Sequence, residues 1–161
     1  MVKYQGNILV IDDDQDVLES AKMFLEEYFE VVETLNNPQQ LSKVLQSSEV
    51  DLILLDMNFR KGAVDEKEGL YWLNYIREVR PQVVIILMTA FGDVGLAVEV
   101  MKKGAFDFIQ KPWNNSKLPA SAHAAFTYNK SKEPSRMLLK IKQVDLNLQI
   151  EELFSLMRSG T

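Results

Sequence analysis

The sequence predicts a doubly wound α/β domain, a five-stranded parallel sheet in the order 2-1-3-4-5 with helices on both faces, followed by a C-terminal helical extension. Three observations predict it. Short apolar runs alternate along the chain with stretches whose apolar residues recur at helical spacing, the pattern of parallel strands joined by crossover helices. Four of the strand signals end on, or run into, a residue able to do chemistry: Asp12, Asp56, Thr89 and Lys111. Beyond residue 130 the strand signals stop and strong helix formers take over, so the domain is expected over residues 1–130 and the extension over 131–161.

Asn7-Ile-Leu-Val-Ile11 reads as a first strand buried on both faces and runs directly into Asp12, Asp13 and Asp14. A helix follows, since Val17, Ala21, Phe24, Leu25 and Tyr28 recur at helical spacing and the acidic residues at its start suit the positive end of the helix dipole. Glu30-Val-Val-Glu-Thr-Leu35 is less continuously apolar and suits a sheet edge. Asn37 and Pro38 supply a cap and a first-turn proline for a helix through Leu41, Val44 and Leu45. Asp51-Leu-Ile-Leu-Leu-Asp56 is the third strand, and the polar segment 58–68 after it is expected to be a loop. The next helix spans residues 69–80, with Leu70, Leu73, Ile76 and Val79 on its apolar side and Pro81 as its stop. Val83 to Met88 forms the fourth strand, and Asp93 caps a helix holding Ala97, Val100 and Met101 that ends at Gly104. Phe106 to Gln110 is the fifth strand, and the last domain helix runs from Asn115 to Asn129.

Composition narrows the chemistry. With no cysteine, disulfides and thiolate metal sites are excluded, and the single His123 cannot build a histidine-rich site. A net charge of -5 and a pI near 5.0 leave no footprint for nucleic acid or for an anionic membrane surface. No apolar run is long enough to span a bilayer, and the polar N-terminus lacks the apolar core of a signal peptide, so a cytoplasmic protein is expected.

In a sheet of this order, ligands bind at the carboxyl ends of the strands, at the switch point between the first and third. Asp12, Asp13 and Asp56 gather there. Three carboxylates repel unless a cation sits among them, and an all-oxygen set favours a hard ion, Mg2+. Asp14 is better explained as a helix cap. Thr89 and Lys111 close the two neighbouring strands on the same rim. Together these groups can transfer a phosphoryl group: Asp56 attacks phosphorus, the cation spreads the charge, and the Thr89 hydroxyl and Lys111 ammonium take the equatorial oxygens. No glycine-rich phosphate loop is present, so a nucleotide is not the expected donor.

Ile8-Leu-Val-Ile-Asp-Asp-Asp14, Asp51-Leu-Ile-Leu-Leu-Asp56, Ile86-Leu-Met-Thr-Ala90 and Phe106-Asp-Phe-Ile-Gln-Lys-Pro112 together resemble the receiver domain of bacterial two-component response regulators, a flavodoxin-like fold, over residues 7–130. The resemblance implies that Asp56 accepts a phosphoryl group from a histidine of a sensor kinase. It implies that Asp13, Asp56 and the backbone carbonyl of Asn58 ligate magnesium, with Asp12 assisting through water, and that Thr89 and Lys111 bind the phosphoryl oxygens. It further implies that Phe108 swings inward with Thr89 and that Lys111–Pro112 is cis, which is cheap for an X–Pro bond. Asn58 and Phe91 would border the approach of the hydrolytic water, and a phenyl ring offers that water no hydrogen bond, so slow self-dephosphorylation is expected.

Thr89-Ala-Phe-Gly-Asp93, Met101-Lys-Lys-Gly-Ala-Phe-Asp107 and Lys111-Pro-Trp113 are similar to the nitrogen-regulatory class, which governs sigma-54-dependent transcription activators. A transcriptional output on domains beyond this chain is therefore expected, with a stand-alone receiver working in a phosphorelay or through protein contacts as the alternative. Two further functions compete. A binding-only pseudo-receiver conflicts with the intact Asp12, Asp13, Asp56, Thr89 and Lys111, and a phosphohydrolase conflicts with Asn58, which stands where a second general acid is needed.

Two regions depart from a minimal receiver. After Asp56 there is no early proline, and the glycine that opens the helix pattern is Gly69, so the loop is longer than usual and carries mixed charge from Arg60, Lys61, Asp65, Glu66, Lys67 and Glu68. It reads either as a solvated loop or as a kinase-contacting element. In the extension, Leu139, Leu146, Ile150, Leu153 and Met157 form one apolar stripe, and Ile141, Val144 and Leu148 form another. A linker helix that pairs with its twin in a homodimer is expected, the alternative being a helix folded onto its own receiver.

Overall fold

The computed structural model describes residues 2–57, 67–90, 94–113, 116–131 and 133–160. Five strands, β1 (Tyr4–Ile11), β2 (Phe29–Leu35), β3 (Leu52–Asp56), β4 (Val84–Thr89) and β5 (Asp107–Gln110), pair in parallel in the order β2-β1-β3-β4-β5. The helices are α1 (Gln15–Glu26), α2 (Leu41–Ser47), α3 (Lys67–Val79), α4 (Val94–Lys102), α5 (Lys117–Ser131) and α6 (Glu133–Ser159). This is the doubly wound sheet that the alternation predicts.

The continuously apolar strands are the central ones. Every residue of β3 and β4 is buried, because each faces a helical layer on both sides. Successive residues divide between the layers: Ile53 and Leu55 join the core with α2, α3 and α4, whereas Leu52 and Leu54 join the core with α1 and α5. The edge strand β2 buries only Phe29, Val32 and Leu35, as its mixed composition requires.

Local chemistry sets the element ends. Asp14 caps α1, its side chain accepting the backbone N–H of Asp16 at 2.9 Å. Asn37 accepts from Gln39 N–H at 3.0 Å, but the cap and Pro38 open a 3-10 turn, Pro38–Gln40, rather than α2 itself, which starts at Leu41. Gly104 ends α4 at φ +100, where a side chain is strained. The expected cap Asp93 and the expected helix start Asn115 lie outside the described residues.

β1 and α3 start two or more residues earlier than the sequence predicts. β1 begins at Tyr4 rather than Asn7, with a register shift before Asn7. The cause is aromatic packing: the Tyr4 ring lies 5.4 Å from Phe29, 4.7 Å from His123 and 5.7 Å from Phe126. Gly6 makes room for this group, since a Cβ there would meet the Phe126 ring at 2.0 Å. Helix α3 begins at Lys67, ahead of Gly69, which therefore lies inside its first turn. A Cβ at Gly69 would come within 2.5 Å of Met57 Cα, so the backbones approach as only glycine allows.

The chain divides into two compact units, Met1–Asn129 and Lys130–Thr161. The first closes with a buried polar anchor, in which Asn129 Nδ2 donates to Asp51 O at 2.8 Å and Gln82 O at 3.2 Å. In the second, α6 includes Pro134. Val144, Leu146, Leu148, Ile150, Leu153, Phe154, Leu156 and Met157 of α6 are all exposed. Among the described residues, no helix is long and apolar enough to cross a membrane.

Candidate functional site

Because β1 and β3 are neighbours with Ile11 opposite Leu55, the residues that follow, Asp12 and Asp56, meet at the carboxyl rim of the sheet. Both are fully buried, whereas Asp13 is exposed. One carboxylate oxygen from each of the three lies within 4.8 Å of the others. Asp12 Oδ1 accepts the backbone N–H of Asp14 at 2.9 Å, so this residue also shapes the turn into α1.

Lys111 reaches the same point from the far side. Its backbone N–H donates to Thr89 O at 2.6 Å, just past the β4–β5 ladder, and the Lys111–Pro112 peptide is cis, as the resemblance implied. Its ammonium then donates to Asp12 Oδ2 at 2.6 Å and to Asp56 Oδ1 at 2.9 Å. The sequence placed Lys111 on this rim; that it bridges two of the acids is a finding of the structure. Thr89 ends β4 and is buried. Phe108 lies opposite Leu87 on β5, half-buried against the core with α2, α3 and α4. The structure thus brings Asp12, Asp13, Asp56 and Lys111 together, with Thr89 and Phe108 on the adjoining strands. Asn58 and Phe91 lie outside the described residues, as does most of the 59–68 loop.

The electrostatics follow from this packing. Burial alone would lower the Lys111 pKa, but the hydrogen bond to Asp12 and the charges of Asp56 and Asp12 outweigh it and hold the ammonium above its usual value. Asp13 is pushed up, first by burial and then by the negative charge of Asp12. Three carboxylates against one ammonium leave two formal negative charges in the cluster. That deficit matches a divalent cation, and the donors are hard oxygens. Two ligands of one magnesium stand at most about 4.2 Å apart, so the cluster has to close only slightly to grip such an ion.

Residues 8–123 match the family model of the response regulator receiver domain. The chain belongs to this family. Switching on phosphorylation is general to receivers. The receiver is 28% identical over 132 residues to the DNA-binding transcriptional regulator NtrC of Proteus hauseri, an alignment covering 81% of this chain and 27% of that protein. It is 31% identical over 140 residues to a putative NtrX-like response regulator of Rickettsia bellii, covering 86% of this chain and 28% of the relative. These relatives are response regulators of the sigma-54-dependent activator class, and the chain spans little more than a quarter of their length. Among solved structures, the N-terminal signal receiver domain of a Bacteroides fragilis response regulator is 38% identical with a TM-score of 0.68, covering 76% of this chain and 98% of that one. NtrX from Brucella abortus is 25% identical with a TM-score of 0.73, covering 84% of this chain and 30% of that one.

Among the described polar residues whose tertiary roles escaped the sequence reading are Asp107, Ser121 and Asn129. Each sits in a strand or helix whose apolar periodicity alone was informative. The one available signal was an uncompensated polar residue on a buried face, which marks a hydrogen bond without naming its partner.

Proposed function

We propose that Asp56 of this receiver accepts a phosphoryl group from a phosphohistidine of a sensor kinase. We further propose that the resulting change controls a transcriptional output on domains beyond this chain. The observation that carries the reading is a buried strand-end carboxylate whose Oδ1 is 2.9 Å from an ammonium, inside an acidic cluster with two uncompensated charges. In the transfer, an oxygen of Asp56 forms the new bond to phosphorus while the P–N bond breaks and its electron pair leaves with the imidazole nitrogen.

Asp12, Asp13 and Asp56, with the Asn58 carbonyl that the family resemblance adds, would hold Mg2+. When bound, the cation offsets the negative charge that gathers between carboxylate and phosphoryl oxygens. Lys111 needs no long excursion to serve the product: its ammonium exchanges a carboxylate oxygen for a phosphoryl oxygen a short distance away. The Thr89 hydroxyl supplies a second donor, and Phe108 follows Thr89 inward. By the family resemblance Asn58 and Phe91 would border the path of the hydrolytic water, and the Phe91 ring, which offers that water no hydrogen bond, would make the phosphorylated state long-lived.

The reading extends to the tail and to the compartment. The receiver works in the cytoplasm. In α6, Leu146, Ile150, Leu153 and Met157 recur four, three and four residues apart and are exposed, which supports a seam for a second copy of the chain and hence a homodimer. The output proposal draws on the NtrC and NtrX-like relatives.

Acetyl phosphate with magnesium, followed by intact mass, is the test. One added phosphate is expected on the wild type, and none on Asp56→Asn or in excess chelator. Persistent labelling of Asp56→Asn overturns the assignment.

A further inference from the structure

The phosphoryl-transfer site leaves one half-buried carboxylate of β5 without a role. Asp107 opens the strand, directly before Phe108. Its Oδ1 accepts the backbone N–H of Phe108 at 2.7 Å, and its Oδ2 accepts the hydroxyl of Ser121 on α5. Ser121 is only 7% exposed, with fully buried Ala122 beside it and Ala125 one turn on, small side chains that let the helix approach the sheet closely.

The placement is unusual in what it joins. β5 is a four-residue edge strand with a ladder partner, β4, on one side only. Alternation along the strand sends Phe108 into the layer with α2, α3 and α4, and Ile109 into the layer with α1 and α5. Asp107 shares the face of Ile109. A single carboxylate therefore grips the peptide that carries the Phe108 ring and, on the opposite face of the sheet, a buried hydroxyl of α5. Charge-assisted hydrogen bonds of this kind are short and directional, and a hydroxyl this buried loses heavily if its acceptor moves away.

We propose that Asp107 is a positioning residue that couples Phe108 to α5. A displacement of Phe108 shifts the 107–108 peptide and passes through the Asp107–Ser121 pair to the helix on the other side of the sheet. This rests on the reading of Phe108 as the aromatic that responds to phosphorylation of Asp56. An edge residue that merely satisfied two local donors would hold α5 in place but transmit nothing.

Amide spectra of the full 15N-labelled chain, before and after adding beryllium fluoride and magnesium as a phosphoryl mimic, test the coupling. In the wild type, shifts are expected at Phe108 and in α5 at Ala125 and Asn129. Ser121→Ala leaves the Asp107–Phe108 bond intact, so the Phe108 shift is expected to persist while the α5 shifts fall at least twofold. Labelling of Asp56 by acetyl phosphate should stay at the wild-type rate, and Ser121→Thr should restore the α5 shifts. Asp107→Ala, which removes both acceptors, should likewise lower the α5 shifts at least twofold. Wild-type-sized α5 shifts in Ser121→Ala would refute the coupling. Absence of any Phe108 shift in the wild type, with Asp56 still labelled by acetyl phosphate, would overturn the reading of Phe108 and the coupling with it.

Discussion

Replacing Lys111 by methionine removes the ammonium that bridges Asp12 and Asp56 while keeping a side chain of similar length. The two carboxylates are 1% and 2% exposed and the lysine side chain 17%, with bonds of 2.6 and 2.9 Å. Taking one partner from a buried pair costs roughly 3–5 kcal/mol, and the residual access of water to Lys111 favours the lower end, about 3 kcal/mol. For a domain of this size that corresponds to a fall in Tm of about 10 °C. The variant's cluster carries three formal negative charges instead of two, so magnesium should restore more stability to it than to the wild type. The sign with pH is also fixed. Lys111 has its folded pKa raised above 10.5, so its contribution is fully present below that value and is lost as pH rises through the folded value. Wild type and variant should therefore converge only in strongly alkaline solution. Urea unfolding followed by tryptophan fluorescence reads the receiver selectively, because both tryptophans, Trp72 and Trp113, lie in it. A metal-free Lys111→Met within about 1 kcal/mol of wild type at pH 7, below the range for a broken buried pair, would refute the argument. So would equal stabilisation of both proteins by magnesium.

Asp13→Asn should act in the opposite sense. A carboxyl whose folded pKa is raised counts against the fold once pH exceeds its unfolded value of 3.8, so at neutral pH the metal-free variant should gain a few tenths of a kcal/mol, as befits an exposed site, while calorimetry shows weaker magnesium binding. Gly69→Ala places a Cβ 2.5 Å from the Met57 Cα, and because the obstacle is backbone the cost should be about 3 kcal/mol in urea unfolding, at the upper end for overpacking. Asn129→Ala withdraws the donor from Asp51 O and Gln82 O and should lower stability by about 1–2 kcal/mol, with faster hydrogen exchange in the last turn of α5 as the local readout.

The strand order and the rim residues were legible because both are written locally. Val84 to Thr89 and Leu52 to Asp56 are apolar until their last residue, which marks the strand and its chemical end together. The start of β1 was not legible, since Tyr4 is held by Phe29, His123 and Phe126, residues distant in the chain. The early start of α3 was hidden for a similar reason: Gly69 looks like a helix boundary until the Met57 backbone is known to lie against it. At the site, strand-end position tells which rim a side chain serves but not which oxygen it pairs with, so the double bridge of Lys111 could not be read. The Asp107–Ser121 pair had no periodic signal at all.

Met57, the residue after Asp56, donates its N–H to Met88 O at 2.9 Å and accepts the Gly69 N–H at 3.2 Å. The chain that departs at Met57 is thus back in bonding contact by Gly69, and what lies between is a closed excursion. Its length has little purchase on the reactive carboxylate, because the peptide beside Asp56 is fastened to β4 and to α3 from either side. Doubling a loop closed in this way costs only about 0.6 kcal/mol of closure entropy. Residues 59–66 are therefore open to lengthening, trimming or rewriting, provided that Asn58, whose carbonyl the family resemblance gives to the cation, is kept. A shorter receiver loop grafted between Asn58 and Lys67 is a substitution this frame is built to accept.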